Sequence, residues 1–321
     1  MTLKYLSAIS RFSSSLLLIV GLLFCLGCNN ASVKHAQQAI SNHSTLLSLK
    51  DSLTYIATKY PAEIGIALIT DKGDTLTVNN EAKYPLMSVF KLHQAISLCN
   101  LFEQQSTSLD SIVCINSSRM NPETWSPMLT DHPDNQIVLP VRELLRYTLT
   151  QSDNNASNYM FESIQSVAET DSFVATIIPR ESFRLKVTEA EMWANHARCY
   201  DNYSSPLGAA LLINKLFTDT TICPGNRDFI CTTLKECQTG KDRIMAPLIN
   251  KAGIVVAHKT GSGFREGEIL SAHNDVAFVT LPDGRHYALA VLIKDFHGTE
   301  SQAAMAIAEV STAVYNTLSE I

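Results

Sequence analysis

The apolar positions along the chain fall into three patterns. The first is a run of about eleven apolar residues, Leu16 to Leu26, preceded by Lys4 and Arg11, the only charges ahead of residue 34. Such a run is too short to span a bilayer comfortably. Its basic start and the small residues near Gly27 predict a secretory signal peptide over residues 1–28; the alternative is an anchor helix that stays in place. The second pattern is helical. Ile40, Leu46, Leu47, Leu53 and Ile56 recur at helical spacing between His35 and Lys59, and Ser301 to Leu318 predicts a closing helix. The third is strand-like. Ile64–Thr70 and Thr75–Val78 flank a Gly-containing link, Asp71–Asp74, and predict a hairpin. Ile254–Ala257, Asp275–Leu281 and His286–Lys294 predict three more strands, the last two joined through Pro282–Arg285.

Between residues 86 and 250 the spacing is mostly helical, without sustained alternation. Strands at both ends with helices between them predict an α+β fold. One five-stranded antiparallel sheet is built from both chain ends and flanked by the terminal helices, and an all-helical lobe is inserted. The expected organisation is a single domain over 29–321. Its sheet lobe takes about 35–85 and 251–321, its helical lobe about 86–250, and a cleft between lobes is a favoured place for a small ligand. Residues 180–204 lack periodicity, and a loop of that length in a compact domain is usually functional. Ser205-Pro206 then offers an N-cap and a first-turn Pro.

Composition narrows the classes. The 321 residues are 45% hydrophobic and 17% charged, with a net charge of −6. That excludes a disordered chain and disfavours a nucleic-acid partner bound through basic charge. Loss of the leader removes two positive charges and makes the chain more acidic still. Cys28 follows Gly27 and precedes a polar stretch, which leaves a lipid anchor at Cys28 open, although Cys25 stands where such signals usually carry Leu. The remaining six cysteines (99, 114, 199, 223, 231 and 237) show neither a CxxC pair nor zinc spacing. They read mostly as buried free thiols, and no metal is expected.

Three short motifs carry candidate chemistry. Ser88 and Lys91 lie three apart at the start of a predicted helix, so they share a face, and no other Ser-x-x-Lys pair occurs. A partly desolvated Lys can take a proton from a Ser hydroxyl, and a helix N-terminus favours a developing oxyanion. Ser152-Asp153-Asn154 follows the helix-like Val141–Leu149, and Lys259-Thr260-Gly261 ends the strand that begins at Ile254. The motifs are separated by 64 and 107 residues. Alone, each reads as a cap, a turn or a strand end; in this order their coincidence is far less ordinary.

In that order they resemble the serine penicillin-recognising enzymes, and the Ser-Asp-Asn form is similar to class A β-lactamases. The wording Met87-Ser-Val-Phe-Lys91, Thr150–Asn158 and Ala257–Gly263 resembles their extended-spectrum cephalosporinase branch. The resemblance implies that Ser88 is acylated by the lactam carbonyl, that Lys91 assists, and that Ser152 with Lys259 protonates the leaving nitrogen. It further implies that Asn154 meets the side-chain amide, that Thr260 and Ser262 meet the substrate carboxylate, and that the Ser88 and Ser262 N–H groups form the oxyanion hole. A second base is needed for hydrolysis. Within Thr188–Met192 the expected residue is Glu189, 35 residues after Asn154, with Glu191 as the fallback. Arg243 resembles an Arg that supports carboxylate binding, against an exposed helix Arg. Trp125 resembles the aromatic at the cleft rim, against an ordinary core Trp.

The chain departs from the family at Trp193, where an Asn commonly helps hold the hydrolytic water, and at Lys186–Thr188, which lacks the usual Arg. His258 stands in place of an Asp and reads as a packed strand residue rather than a catalytic one. The resemblance implies a monomeric periplasmic enzyme acting on β-lactam substrates without a cofactor, preferring cephalosporins and giving antibiotic resistance. A penicillin-binding carboxypeptidase or transpeptidase and a non-enzymatic β-lactam sensor stay open as alternatives.

Overall fold

The structure, a computed structural model, describes residues 30–320, with side chains from residue 44 onward. The expected leader and Cys28 lie outside the described residues. Compactness divides the chain between Ser48 and Leu49. Helix α1 (Asn30–Thr58) begins before that division, and beyond it Leu49, Leu53 and Ala57 are buried. Then come β1 (Glu63–Thr70), β2 (Thr75–Val78), the short β3 (Tyr84–Pro85) and α2 (Phe90–Gln104). The middle of the chain forms β4 (Ile112–Asn116), α3 (Pro127–Asp131), β5 (Gln136–Pro140), α4 (Val141–Thr150), α5 (Asn154–Ser163) and α6 (Val167–Val174). It continues with β6 (Phe183–Arg184), α7 (Glu189–Ala194), β7 (Tyr203–Ser204), α8 (Pro206–Thr218) and α9 (Arg227–Lys235). The chain closes with β8 (Val255–Ser262), β9 (Arg265–Glu266), β10 (Ile269–Thr280), β11 (His286–His297) and α10 (Glu300–Ser319).

The sheet is antiparallel in the order β2-β1-β11-β10-β8, so strands from both chain ends meet at β1 and β11, where Ala67 faces Ala290. The expected five strands are present, with two-residue β9 added beside β10. Strands β1 and β10 are buried almost continuously, as strands covered on both faces must be. Helix α8 packs on β1, β10 and β11, and α10 packs on β10 and β11. Gly65 permits the α8 approach, because a Cβ there would lie 2.5 Å from both Pro206 and Tyr84. Ser205 caps α8 by accepting from the Gly208 N–H at 3.1 Å, with Pro206 in the first turn, as its sequence predicts.

The inserted segment is not all-helical, contrary to expectation. Strands β4 and β5 form a two-stranded ribbon, and β3, β7 and β6 form a second small sheet. Both escape the pattern for a physical reason. The ribbon buries Ile115 and Ile137 on its inner face, but Ile112, Cys114 and Val138 on its outer face are apolar too, so no apolar–polar alternation marks it. The strands of the second sheet, two residues each, are too short to show a period. Helix α2 shows the opposite extreme. It is buried on all sides from Phe90 to Cys99, so its polar residues need partners. Gln94 answers this by exchanging hydrogen bonds with Ser157 (2.9 and 2.8 Å), fastening α2 to α5. Of the six described cysteines, all free, Cys114 alone is exposed.

Candidate active site

Ser88 lies in a 3-10 turn, Met87–Val89, that leads directly into α2. Met87 has φ of 46°, a left-handed conformation costly for a residue with a side chain, and it sets Ser88 at the helix mouth. The turn is pinned on both sides. Leu86 N–H donates to the Asn202 carbonyl at 2.8 Å, and the Asn274 amide donates to the Pro85 carbonyl at 2.7 Å. One turn after Ser88, at the second residue of α2, Lys91 is fully buried. Its Nζ donates to Ser88 Oγ (3.0 Å), the Ser152 carbonyl (2.9 Å) and Asn154 Oδ1 (2.6 Å), and pairs with Glu189 Oε1 at 2.8 Å. An isolated buried ammonium would be prohibitive, and this four-way coordination offsets that desolvation.

The second motif owes its shape to Asp153. Its carboxylate caps α5 by accepting from Ala156 N–H (2.8 Å), and also accepts from Met128 N–H (2.8 Å) and Ser126 Oγ (3.0 Å). Ser152, left-handed at φ 61°, is thereby turned toward β8, where Lys259 Nζ donates to its Oγ at 3.0 Å. Asn154 Nδ2 donates to Thr124 Oγ1 at 2.8 Å, and the Trp125 carbonyl accepts from Asn154 N–H. Trp125 itself is 62% exposed at the pocket rim, its indole N–H donating to the Gln151 carbonyl. It is not a core Trp.

The structure also separates the two glutamates. Thr188 and Glu191 form a capping box at the start of α7, and Arg198 donates to Glu191 Oε1 at 2.7 Å, so that carboxylate is occupied. Glu189, 6% exposed, points instead to Ser88, whose Oγ donates to its Oε1 at 2.8 Å. The surrounding segment is held without long secondary structure. Asn202, wholly buried, accepts from Lys186 and Val187 N–H and donates to the Val187 carbonyl. Asp171 pairs with Arg180 and accepts from Leu185 N–H, while Asn158 Oδ1 accepts from Ala190 N–H at 3.1 Å.

On β8, Thr260 Oγ1 lies 2.6 Å from Thr239 Oγ1, and Arg243 donates to Ser262 Oγ (2.6 Å) and to the Gly261 and Asn274 carbonyls. Arg243 is therefore buried, not an exposed helix residue. No carboxylate is in contact with Lys259 or Arg243 among the described residues. Burial outweighs the raising effect of the Cys237 and Glu189 charges and, with the Lys91 and Arg243 charges acting alongside it, pulls the Lys259 pKa down to about 7; burial also lowers that of Arg243. Two under-compensated cations at one end of a cleft make a place for an anion. His258 lies on the same strand with Nδ1 3.0 Å from Asp275. Burial alone would lower its pKa, but the Asp275 and Cys237 charges raise it to about 10.

Ser88, Ser152, Asn154, Glu189, Thr260, Ser262, Arg243 and Trp125 all line one cleft of about 310 Å³, with Lys91 and Lys259 buried in its floor. Thr239, Asn158 and Asn202 were missed by the sequence reading, and Gly261 was named there only as part of its motif, without its packing against the nucleophile turn. Asn158 carried a signal, since it lies one helical turn after Asn154. The others are brought in from distant segments and left none.

Residues 48–318 match the Beta-lactamase enzyme family. The chain is 52% identical to a β-lactamase of Phocaeicola vulgatus, covering 95% of this chain and 94% of that one. It is 31% identical to the extended-spectrum β-lactamase PER-1 of Pseudomonas aeruginosa, over 83% and 86% of the two chains. A solved class A β-lactamase from Bacteroides cellulosilyticus superposes with a TM-score of 0.81 at 29% identity, covering 86% of this chain and 99% of that one. The site geometry and these likenesses agree: the chain belongs to the β-lactamase enzyme family, as a class A serine β-lactamase.

Proposed function

We propose that the enzyme is exported to the periplasm and opens the lactam ring of cephalosporins and penicillins through an acyl-enzyme on Ser88, with cephalosporins preferred, and so confers resistance to them. The observation that carries this is the position of Ser88 Oγ, within hydrogen-bond reach of both Glu189 Oε1 and Lys91 Nζ. Ser88 Oγ attacks the lactam carbonyl carbon while its proton leaves to one of these two groups. The carbonyl oxygen becomes an oxyanion held by the Ser88 and Ser262 N–H groups. As it collapses, the C–N bond breaks and Ser152, backed by Lys259, delivers a proton to the departing nitrogen. Asn154 aligns the side-chain amide, and Thr260, Ser262 and Arg243 take the carboxylate. Water then attacks the ester and Glu189 receives its proton; Trp193 beside it offers only an indole donor. The cephalosporin preference is supported by the motif wording and by the likeness to a relative named for an extended spectrum.

Intact-mass spectrometry with excess cephalosporin, read alongside lactam absorbance, tests the scheme. The wild type should turn over many times with little lasting adduct, and Ser88→Ala should lose turnover. Glu189→Gln should accumulate an adduct on Ser88, with turnover lowered by about 10²–10⁴, the usual worth of a general base. A stable adduct on the wild-type protein would sink the hydrolytic scheme and favour a penicillin-binding or sensing role. A larger kcat/KM for benzylpenicillin would overturn the cephalosporin preference.

A further inference from the structure

Along β8 and the turn after it the cleft wall has two chemically different ends, Thr260 and Phe264, on either side of Gly261, where a Cβ would lie 3.3 Å from Ser88 N. One carries Arg243, Thr260 and Thr239, all polar, and includes the cations that lack a carboxylate. The other is walled by Trp193, from the segment bearing Glu189, and Phe264, from the turn after β8. Phe264 is fixed by reciprocal hydrogen bonds, its N–H donating to Ser271 Oγ and its carbonyl accepting from Ser271 N–H, both at 2.9 Å. Trp193 is 40% exposed, and its α7 is only six residues long. What connects the two rings is His196, which the catalytic scheme leaves unused. Its ring lies flat on Phe264, with centroids 3.9 Å apart and planes 8° from parallel, and stands edge-on to Trp193 at 6.3 Å. The imidazole Nδ1 also comes within 3.7 Å of Glu266 on β9.

We propose that Trp193 and Phe264 form an aryl-binding wall for the substrate's acylamino side chain, and that His196 is the positioning residue that holds the wall together across the cleft. A β-lactam carries its carboxylate beside the ring nitrogen and its acylamino group on the far side of the four-membered ring. Placing the carboxylate at the cationic end therefore directs the acyl group to the aromatic end. Flat faces there select a flat aromatic or heteroaromatic substituent over a small aliphatic one, because aromatic pairs gain beyond their buried area. The indole N–H, no substitute for a hydrogen-bond acceptor beside Glu189, fits this second use.

The proposal rests on the acyl-enzyme reading, and its test separates the two. The readout is the ratio of kcat/KM for benzylpenicillin, whose side chain ends in a phenyl ring, to kcat/KM for 6-aminopenicillanic acid, which has none. Wild-type enzyme should favour the phenyl substrate. The ratio should fall about tenfold in Trp193→Ala and in Phe264→Ala, and about threefold in His196→Ala, mainly through KM, as loss of an aromatic pair predicts. His196→Phe, which keeps a stacking ring and drops the contact with Glu266, should restore the ratio. An unchanged ratio in all three alanine variants, including one where both rate constants fall together, overturns the wall. Failure of the wild type to turn over either compound overturns the hydrolytic reading instead.

Discussion

Gly261→Ala probes how tightly the third motif is pressed against the nucleophile. A Cβ at Gly261 would lie 2.5 Å from the Leu86 carbonyl oxygen, 3.1 Å from Met87 Cβ and 3.3 Å from Ser88 N. The backbone of Gly261 is extended strand, so alanine meets a spatial obstacle alone. Restoring ordinary contact, which begins near 3.4 Å, requires β8 and the Met87–Val89 turn to separate by about 0.9 Å. The turn cannot yield easily, because Asn202 and Asn274 hold Leu86 and Pro85. The displacement therefore falls on β8, carrying the Ser262 N–H away from the Ser88 N–H. Misplacing a reacting group by roughly 1 Å costs on the order of 10²-fold. Overpacking at such a site adds a destabilisation of about 1–3 kcal/mol. Stopped-flow acylation with a chromogenic cephalosporin, normalised to folded enzyme and paired with thermal unfolding, reads both effects. Gly225→Ala is the control, since its Cβ would meet nothing closer than 3.4 Å. If Gly261→Ala acylates at the wild-type rate, the close packing of β8 on the nucleophile turn has no catalytic consequence and the oxyanion-hole reading falls with it.

Two further predictions concern the buried charges. With Lys259 titrating near 7, its ammonium disappears as pH rises through neutrality, so kcat/KM for anionic β-lactams should show a basic limb with a midpoint near 7, absent in Lys259→Arg; a pH profile flat to the range of ordinary lysines contradicts this. Asp275→Asn should cost roughly 3–5 kcal/mol in denaturant unfolding, the range for breaking a buried pair. Because the His258 pKa is raised from 6.5 to about 10, that stabilisation is fully present below pH 6.5 and is lost as pH rises through about 10. A wild-type-to-variant difference that grows with pH across that window would refute the pairing.

The sheet and the three motifs were legible because each is specified locally. β1, β11 and the second half of β10 carry nearly continuous apolar runs, whereas the more polar first half of β10, through Ser271 to Asn274, lies outside the predicted strand. Ser88 and Lys91 are bound to share a face by helical spacing alone. Glu189 could be favoured over Glu191 by its distance from Asn154, but the physical distinction lies elsewhere: Glu191 is consumed by the Thr188 cap and Arg198. That occupation is visible only once Arg198 has folded back. The β4–β5 ribbon was illegible because both of its faces are apolar: Ile115 and Ile137 enter the core while Ile112, Cys114 and Val138 stay exposed, so no alternation marks it. The roles of Thr239, Asn202 and Gly261 were illegible for a different reason. Each depends on a close approach to a segment 15 to 175 residues away, such as Asn202 to Val187, Thr239 to Thr260 and Gly261 to Leu86.

Charge placement explains why this site is built at a cost to stability. Two non-glycine residues adjacent to or within the catalytic motifs, Met87 and Ser152, adopt left-handed backbone, each costing on the order of 1–3 kcal/mol. Lys259 and Arg243 are buried without a carboxylate in contact, which taxes the empty enzyme further. Lys91 is different: Glu189 supplies its counter-charge from within the chain. The two cations left under-compensated are those beside Thr260 and Ser262, where, in the proposed scheme, an incoming carboxylate would complete the electrostatics. In that scheme, desolvation that burdens the free enzyme would be relieved when substrate binds, and Glu189 Oε1 already lies where it would accept the Ser88 proton. Separating these tasks along one cleft lets a single fold hold an anion at one end and transfer protons at its centre. At the proposed aromatic end the rings themselves face the cleft and the nearby Glu266 carboxylate meets His196, so selection of the side chain there would fall to ring shape.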